Sequence, residues 1–195
     1  MRERIWDLPT RLFHWMLVGC VGAAWWIGDN RDFDTIDYHF YLGYTIGGLL
    51  VFRIIWGLIG PAPVKLKSLF HGSASVFAYL RSVPKRQPSG TRGHNPIGSL
   101  SVIAMLVSLM VQVTTGLFAE DDGLFASGPL SGYADSATVL QMNAIHHWNS
   151  RILLVLVGAH VFAALFYLVW KRENLIGAMI TGRKLVRAGD DNDKA

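Results

Sequence analysis

Four long apolar stretches, separated by charged segments, constrain the fold of this chain more than any other feature. They cover about residues 12–28, 41–59, 96–119 and 144–170, and roughly 20 apolar residues suffice for a helix to cross a bilayer. Backbone N–H and C=O groups find no water inside a bilayer, so segments of this length must satisfy them as helices. The sequence therefore predicts an all-α fold, a transmembrane four-helix bundle in which residues 1–195 form one integral membrane domain.

The composition agrees with a membrane location and excludes other classes of protein. Hydrophobic residues make up 51% of the 195 residues and charged residues 16%, whereas soluble domains carry about 25% charged residues. The net charge of +4 does not indicate a nucleic-acid partner, because Lys and Arg lie in blocks between the apolar stretches. The single Cys excludes a disulfide within the chain and a zinc or iron–sulfur site built from cysteines. The first stretch contains three Trp and a His, and we interpret it as a retained helix, not a cleaved signal peptide.

The charges of the connecting segments predict the orientation of the chain in the membrane. Lys and Arg dominate the N-terminal segment, residues 61–95 and the segment after Trp170, whereas Asp and Glu dominate residues 29–40 and 120–143. Segments rich in Lys and Arg remain in the cytoplasm. We therefore expect a multi-pass protein of the bacterial inner membrane with both termini cytoplasmic, ending in a polar C-terminal tail over residues 183–195.

Three local patterns add detail to these spans. Residues 73–81 predict a short helix lying on the inner membrane surface. Asn95 followed by Pro96 predicts the N-cap and the first turn of the third span. Four Trp near the predicted span ends are interpreted as anchors at the membrane–water interface, in contact with lipid: Trp6, Trp26, Trp148 and Trp170.

Two of the seven His residues share one face of the fourth span. His146 and His160 are 14 residues apart, which at about 100° per residue directs both rings to within about 40° of the same face, about 21 Å apart along the axis. His147 projects about 140° away from His160 by the same count. Ionisable groups inside a bilayer are costly and indicate function by default.

The direction of the spans sorts four His residues into two levels. His39 begins the second span on the outer side with His146, whereas His14 lies near the inner start of the first span, at the level of His160. Two axial imidazoles at each of two depths match the needs of two bis-histidine haems in a bundle core. No Asp or Glu lies inside the four spans, which fits a zinc or proton pathway poorly.

Small and basic residues near these levels have two interpretations each. Gly43 and Gly47 share the face of His39, where they leave either a strip for a flat porphyrin or a surface for helix packing. Arg53 lies 14 residues after His39, near the same face at the inner level. Its guanidinium would bind a haem propionate or extend to the nearest surface, as we expect for Arg151.

The chain resembles the prokaryotic cytochrome b561 family, which includes superoxide oxidase and the cytochrome b subunits of hydrogenases and formate dehydrogenases. The resemblance covers nearly the whole chain and is carried by WDLPTRLFHW at residues 6–15, HFYLGYTIGGLLVFRIIWGLIGP at 39–61, GHNPIGSL at 93–100 and IHHWNSRILLVLVGAH at 145–160. The segment KRENLIGAMITG at residues 171–182 is also similar to the segment after the family's last helix. The chain departs from the family at His147, where relatives often have Glu.

The resemblance implies two non-covalent haem b groups with a defined set of iron ligands. The family's ligand positions match His39 and His146 for the outer haem, and His14 and His160 for the inner haem. By analogy a quinone is expected near the inner haem. No role is assigned to His71, His94 or His147, and no catalytic residue is assigned.

The leading hypothesis for function is electron transfer between the quinone pool and a partner redox protein of the periplasm or membrane, such as a c-type cytochrome or a dehydrogenase or hydrogenase complex. The partners expected are therefore membrane lipid, a quinone and that protein. Two alternatives remain: a free-standing superoxide:quinone oxidoreductase, which acidic outer segments disfavour because they repel an anion, and a His-lined metal transporter. Whether the chain is an enzyme in its own right is left open.

Overall fold

Six helices form the frame of the part of the chain that a computed structural model describes, residues 2–84, 86, 89, 91, 93–121 and 123–185. In chain order they are α1 (Leu8–Asp29), α2 (Ile36–Ile59), α3 (Ser73–Ser82), α4 (Pro96–Phe118), α5 (Ser136–Val169) and α6 (Leu175–Thr181). Short 3₁₀ turns lie at Ala62–Val64, Leu66–Leu69 and Ser131–Tyr133. The short strands are β1 (Arg2–Arg4), β2 (Glu120–Asp121), β3 (Ala126–Ser127) and β4 (Arg183–Leu185).

Three of these helices are long and apolar enough to cross a membrane: α2, α4 and α5. The helix α1 is 22 residues long but is not among the three, because Arg11, Asp29 and several Trp and Gly residues lower its mean hydropathy. Its crossing of the membrane, and with it the four-helix bundle, stays a prediction. The helix α5 has 34 residues, about 51 Å at 1.5 Å per residue, and begins eight residues before the predicted span.

The start of α4 confirms the predicted N-cap. The side-chain Oδ1 of Asn95 accepts a hydrogen bond from the backbone N–H of Gly98 at 2.8 Å, and α4 begins at Pro96. An N-cap oxygen satisfies an N–H group that has no partner within the helix. The helix predicted over residues 73–81 is also present, as α3.

The fold divides into two compact units. The first comprises the described residues of Met1–Leu12, Arg53–Ile103 and Val157–Ala195, and the second comprises those of Phe13–Phe52 and Ala104–Leu156. In the sequence, the ranges of the first unit hold sixteen of the 18 Lys and Arg residues, and those of the second hold eight of the 14 Asp and Glu residues. The division therefore separates basic from acidic segments.

The first unit is held together by pairing between the two ends of the described chain. The strand β1 pairs antiparallel with β4, with Glu3 opposite Lys184, and residues 186–195 of the predicted tail lie outside the described residues. Next to this pair, Ile5, Trp6, Val64 and Ala178 form a buried cluster. The prediction that Trp6 is an interfacial anchor is wrong: it is 6% exposed, because the strand pair places it in this cluster. Trp26 and Trp148 are exposed.

A buried ion pair also stabilises the first unit. The Nζ of Lys184 lies 2.9 Å from Oε1 of Glu173, and the two side chains are 5% and 4% exposed. Ser89 donates hydrogen bonds to Glu173 from its backbone N–H and its hydroxyl, at 2.7 and 2.8 Å. Burial alone would raise the pKa of Glu173, but Lys184 and the Ser89 hydrogen bonds outweigh it and hold the pKa below its usual value.

Candidate functional site

The second unit brings together the two His residues predicted for the outer level. The rings of His39 on α2 and His146 on α5 have centroids 6.1 Å apart and planes inclined by 73°, and both side chains are half-buried. Imidazoles on opposite sides of one metal ion have centroids about 6 Å apart, since each metal–nitrogen bond is about 2 Å and each ring adds about 1 Å. The separation therefore fits two axial ligands of one haem iron.

Each of these rings is oriented by a backbone carbonyl of a neighbouring helix. The Nδ1 of His39 lies 2.9 Å from the carbonyl oxygen of Ala24 on α1, and Nδ1 of His146 lies 3.0 Å from that of Gln112 on α4. A carbonyl oxygen only accepts, so Nδ1 carries the hydrogen in both neutral rings and Nε2 keeps its lone pair. This is the form in which Nε2 can bind a metal, and the bond at Nδ1 raises its basicity.

A glycine beside each ring makes room for this contact. A Cβ on Gly28 would lie 3.0 Å from Cε1 of His39, and a Cβ on Gly116 would lie 3.0 Å from Cε1 of His146. Each glycine is four residues after the residue whose carbonyl accepts from the ring. A helical side chain leans toward the N-terminus and covers the turn before it, so glycine leaves the carbonyl open. Sequence reasoning missed both residues because only the contact between helices identifies them.

The two glycines that had open interpretations differ in their surroundings. A Cβ on Gly43 would have no atom within 4 Å, whereas a Cβ on Gly47 would lie 3.3 Å from Cγ1 of Val113 on α4. No described residue packs against Gly43 at this distance, and its place in a strip beside His39 stays a prediction. The contact at Gly47 favours helix packing.

A group of polar side chains on α4 and α5 surrounds His146. The Nε2 of Gln112 lies 3.1 Å from Nε2 of His146, and Oγ1 of Thr115 lies 3.2 Å from its Nδ1. Asn149 donates from Nδ2 to Oε1 of Gln112 at 2.7 Å and to the carbonyl oxygen of Ser108 at 2.9 Å. Sequence reasoning missed these residues because the third span has no His that would have drawn attention to it.

The residues predicted for the inner level are distributed over both units. His14 belongs to the second unit and His160 to the first, and both are half-buried, so their pairing stays a prediction. Arg53 is buried in the first unit, where Nη1 donates to the carbonyl oxygen of Val64 at 3.0 Å. It therefore does not extend to the surface, and its bond to a haem propionate stays a prediction.

His147 and Arg151 do not share the contacts of the candidate ligands. His147 is exposed, and its ring centroid lies 6.3 Å from that of His146. The guanidinium of Arg151 lies over the ring of Trp148, 5.0 Å from its centroid. Within the residues that the structure describes, no three His, Cys, Asp or Glu residues are grouped to hold a metal ion. A pair of imidazoles suits an iron whose other ligands come from a porphyrin.

Comparisons with known proteins indicate the family of this chain. A family model described as prokaryotic cytochrome b561 matches residues 5–182. A probable Ni/Fe-hydrogenase B-type cytochrome subunit of Rhizobium leguminosarum bv. viciae is 22% identical over 96% of this chain and 90% of its own length. Proteins of the same description from Azotobacter chroococcum mcd 1 and Azotobacter vinelandii are each 26% identical over 94% of this chain and 88% of their own length. No solved structure matches. The extent of the family match shows that the chain belongs to the prokaryotic cytochrome b561 family.

Proposed function

We propose that this chain is a di-haem electron-transfer subunit that moves electrons between a partner redox complex and the quinone pool. Membership of a b-type cytochrome family implies haem b and electron transport. The observation that carries the proposal further is the pair of imidazoles of His39 and His146, 6.1 Å apart and each bound through Nδ1 to a backbone carbonyl. Haem b supplies an iron that takes up and releases one electron, and the protein supplies ligands, burial and nearby charge.

The residues of this chain have distinct roles in this proposal. His39 and His146 hold the outer haem, and His14 and His160 hold the inner haem. The carbonyl groups of Ala24 and Gln112 lie at Nδ1 of these rings and favour the form in which Nε2 can bind iron. Arg53, buried in the first unit, balances the negative charge of a propionate at the inner level.

The proposed arrangement places four crossing helices in the bacterial inner membrane with both termini in the cytoplasm. Pairing of β1 with β4 supports one side for the two ends of the described chain. The excess of Lys and Arg in the first unit's segments supports the cytoplasm as that side. The acidic connections of the second unit then face the periplasm.

The partner that we infer is a Ni/Fe-hydrogenase or a related dehydrogenase complex. The support is the description of the similar proteins as probable Ni/Fe-hydrogenase B-type cytochrome subunits. Electrons would pass between the partner at the outer haem and a quinone near the inner haem, on the side of His160. The acidic outer segments offer a docking surface for a basic patch of the partner.

Oxidation of superoxide at the outer haem is the less favoured function. Arg31 is the single Lys or Arg residue in residues 29–40 and 120–143, and its Nη1 lies 2.7 Å from Oδ2 of Asp121. This pairing neutralises the one positive charge that would attract an anion to these segments. Surface potential of one sign steers association toward ligands of the opposite sign.

The decisive experiment combines haem quantitation with reduced-minus-oxidised spectra of the purified chain and its His→Ala variants. We expect two haem b per chain, one lost in His39→Ala or His146→Ala and the other in His14→Ala or His160→Ala. His147→Ala is the matched control, adjacent in sequence, and should retain both haems. A wild-type chain without haem, or variants that all keep two haems, would refute the ligand assignment.

A further inference from the structure

A closed set of hydrogen bonds links Ser108 and Gln112 on α4 to Asn149 on α5, beside His146. Ser108 and Asn149 are 6% and 8% exposed. Polar side chains in membrane-spanning helices are costly unless paired, and they often serve only to join helices. Hydrogen bonds that only join two helices can form with the amide groups in either orientation, so a fixed orientation of these amides needs a further explanation.

The orientation of the Asn149 amide is fixed by the backbone of α4. Its Nδ2 lies 2.9 Å from the carbonyl oxygen of Ser108, which can only accept, so the NH₂ group faces that carbonyl. Its Oδ1 then accepts from the Ser108 hydroxyl at 3.0 Å. The oxygen and nitrogen of an amide are usually assigned by choosing between two flipped orientations. Here the carbonyl oxygen of Ser108 can only accept, so one orientation remains.

The orientation of the Asn149 amide in turn fixes that of Gln112, and Gln112 fixes which nitrogen of His146 carries the hydrogen. The second N–H of Asn149 Nδ2 donates to Oε1 of Gln112 at 2.7 Å, so the NH₂ group of Gln112 faces Nε2 of His146 at 3.1 Å. That nitrogen must therefore accept, and the ring hydrogen lies on Nδ1, which donates to the carbonyl oxygen of Gln112 at 3.0 Å. This series of hydrogen bonds from Asn149 through Gln112 to His146, called the relay below, thus ends on Nε2, the nitrogen proposed to bind iron.

We propose that Asn149 and Gln112 are positioning residues that hold His146 in the ring form required for haem uptake, with its lone pair on Nε2. This inference rests on the proposed outer haem at His39 and His146. The Gln112 side chain would hold this form in the haem-free chain, and the backbone carbonyl on Nδ1 would hold it once Nε2 is the nitrogen that binds haem. An apparent affinity falls in proportion to the fraction of chains in the competent form.

The test places a hydrogen-bond acceptor instead of a donor opposite Nε2 of His146, while His146 itself is kept. In Gln112→Glu an acceptor faces Nε2. In Asn149→Asp an accepting oxygen replaces the NH₂ group that donates to the Ser108 carbonyl and to Gln112, so Gln112 turns its NH₂ group toward residue 149 and its oxygen toward the ring. Both changes favour hydrogen on Nε2, and we expect the affinity for the outer haem to fall by about 10–100-fold, as for other partners of metal ligands. Affinity is measured by haem titration in detergent, and the inner haem reports intact folding.

Three matched variants separate positioning from simple helix joining. Ser108→Ala keeps the backbone carbonyl that orients Asn149 and should bind the outer haem as the wild type does. Gln112→Leu leaves the carbonyl on Nδ1 and should lose only a few-fold in affinity, less than Gln112→Glu. The double variant Asn149→Asp with Gln112→Leu should recover to the level of Gln112→Leu, because no side chain remains to place an acceptor opposite Nε2.

The results that would refute the relay differ from the result that would refute the proposed function. If the wild type binds two haems and Gln112→Glu binds the outer haem with unchanged affinity, the relay is refuted and the proposed function stands. If Gln112→Leu is as damaging as Gln112→Glu, or the double variant is worse than Asn149→Asp, the residues only join helices and the inference is also refuted. A wild type that lacks the outer haem refutes the proposed function itself.

Discussion

Replacing either glycine beside the outer imidazoles should weaken the outer haem selectively. In Gly28→Ala or Gly116→Ala the new Cβ lies 3.0 Å from Cε1 of His39 or His146, where ordinary contacts begin near 3.4 Å, so the ring must recede by about 0.4 Å. A haem-free ring relieves this contact by moving, but iron restrains it. Overpacking costs about 1–3 kcal/mol. The preference of a helix for Ala over Gly is the same with and without haem, so it does not change the haem affinity. A cost of about 1–3 kcal/mol in the haem-bound chain alone lowers the haem affinity by about 5- to 150-fold.

Haem titration of the purified variants, followed in the reduced spectrum, measures this effect for each haem separately. The matched control is Gly48→Ala on α2, where a Cβ would have no atom within 4 Å, and we expect unchanged affinity for both haems. Unchanged outer-haem affinity in both Gly28→Ala and Gly116→Ala would refute the role assigned to these glycines. An equal loss of the inner haem would show a general defect of folding.

Two further predictions concern the stability of the described fold. Glu173→Gln or Lys184→Met leaves one buried charge without its partner and should lower the free energy of unfolding by about 3–5 kcal/mol, with a smaller loss in the double variant, as measured by denaturant unfolding in detergent. Because the pKa of Glu173 is lowered in the folded chain, its contribution to stability is present above the unfolded-state pKa of about 4.3 and is lost as the pH falls further, so wild type and Glu173→Gln should converge in acid. Asn95→Ala removes both the N-cap of α4 and the hydrogen bond from Nδ2 of Asn95 to the Tyr167 hydroxyl at 3.2 Å, and should cost about 2 kcal/mol in the same assay, whereas Asn95→Ser keeps an uncharged oxygen that accepts at the N-cap and should cost less.

The sequence predicted helices well where one local signal dominated. The start of α4 was predicted at Pro96 because Asn95 and Pro96 carry the cap and the first turn themselves, and the cap bond is present. The start of α5 at Ser136 was missed because hydropathy reports the solvent around a segment and not its helicity. Residues 136–143 are polar enough to leave the hydrocarbon yet contain no Pro or Gly that would end a helix.

The parts of the candidate site that depend on span direction and on position along a helix could be predicted, whereas the parts that depend on side-chain contacts between particular helices could not. The meeting of His39 and His146 followed from span direction and position along each helix, and the ring separation of 6.1 Å agrees with it. Gln112 and Asn149 could not be predicted, because their roles depend on the register between α4 and α5. The error at Trp6 has the same origin, since its burial depends on the pairing of β1 with β4, which are separated by most of the chain.

The two imidazoles proposed to hold the outer haem share one local arrangement, in which a glycine lies beside each ring. Each imidazole donates to the carbonyl of residue i in a neighbouring helix and lies against a glycine at residue i+4, Ala24 with Gly28 in one case and Gln112 with Gly116 in the other. Any side chain at i+4 leans over that carbonyl, so glycine lets a ring approach the carbonyl without being displaced. Under the proposed function, iron binds only the nitrogen that carries no hydrogen, and the carbonyl that each glycine leaves open accepts the hydrogen of the other nitrogen.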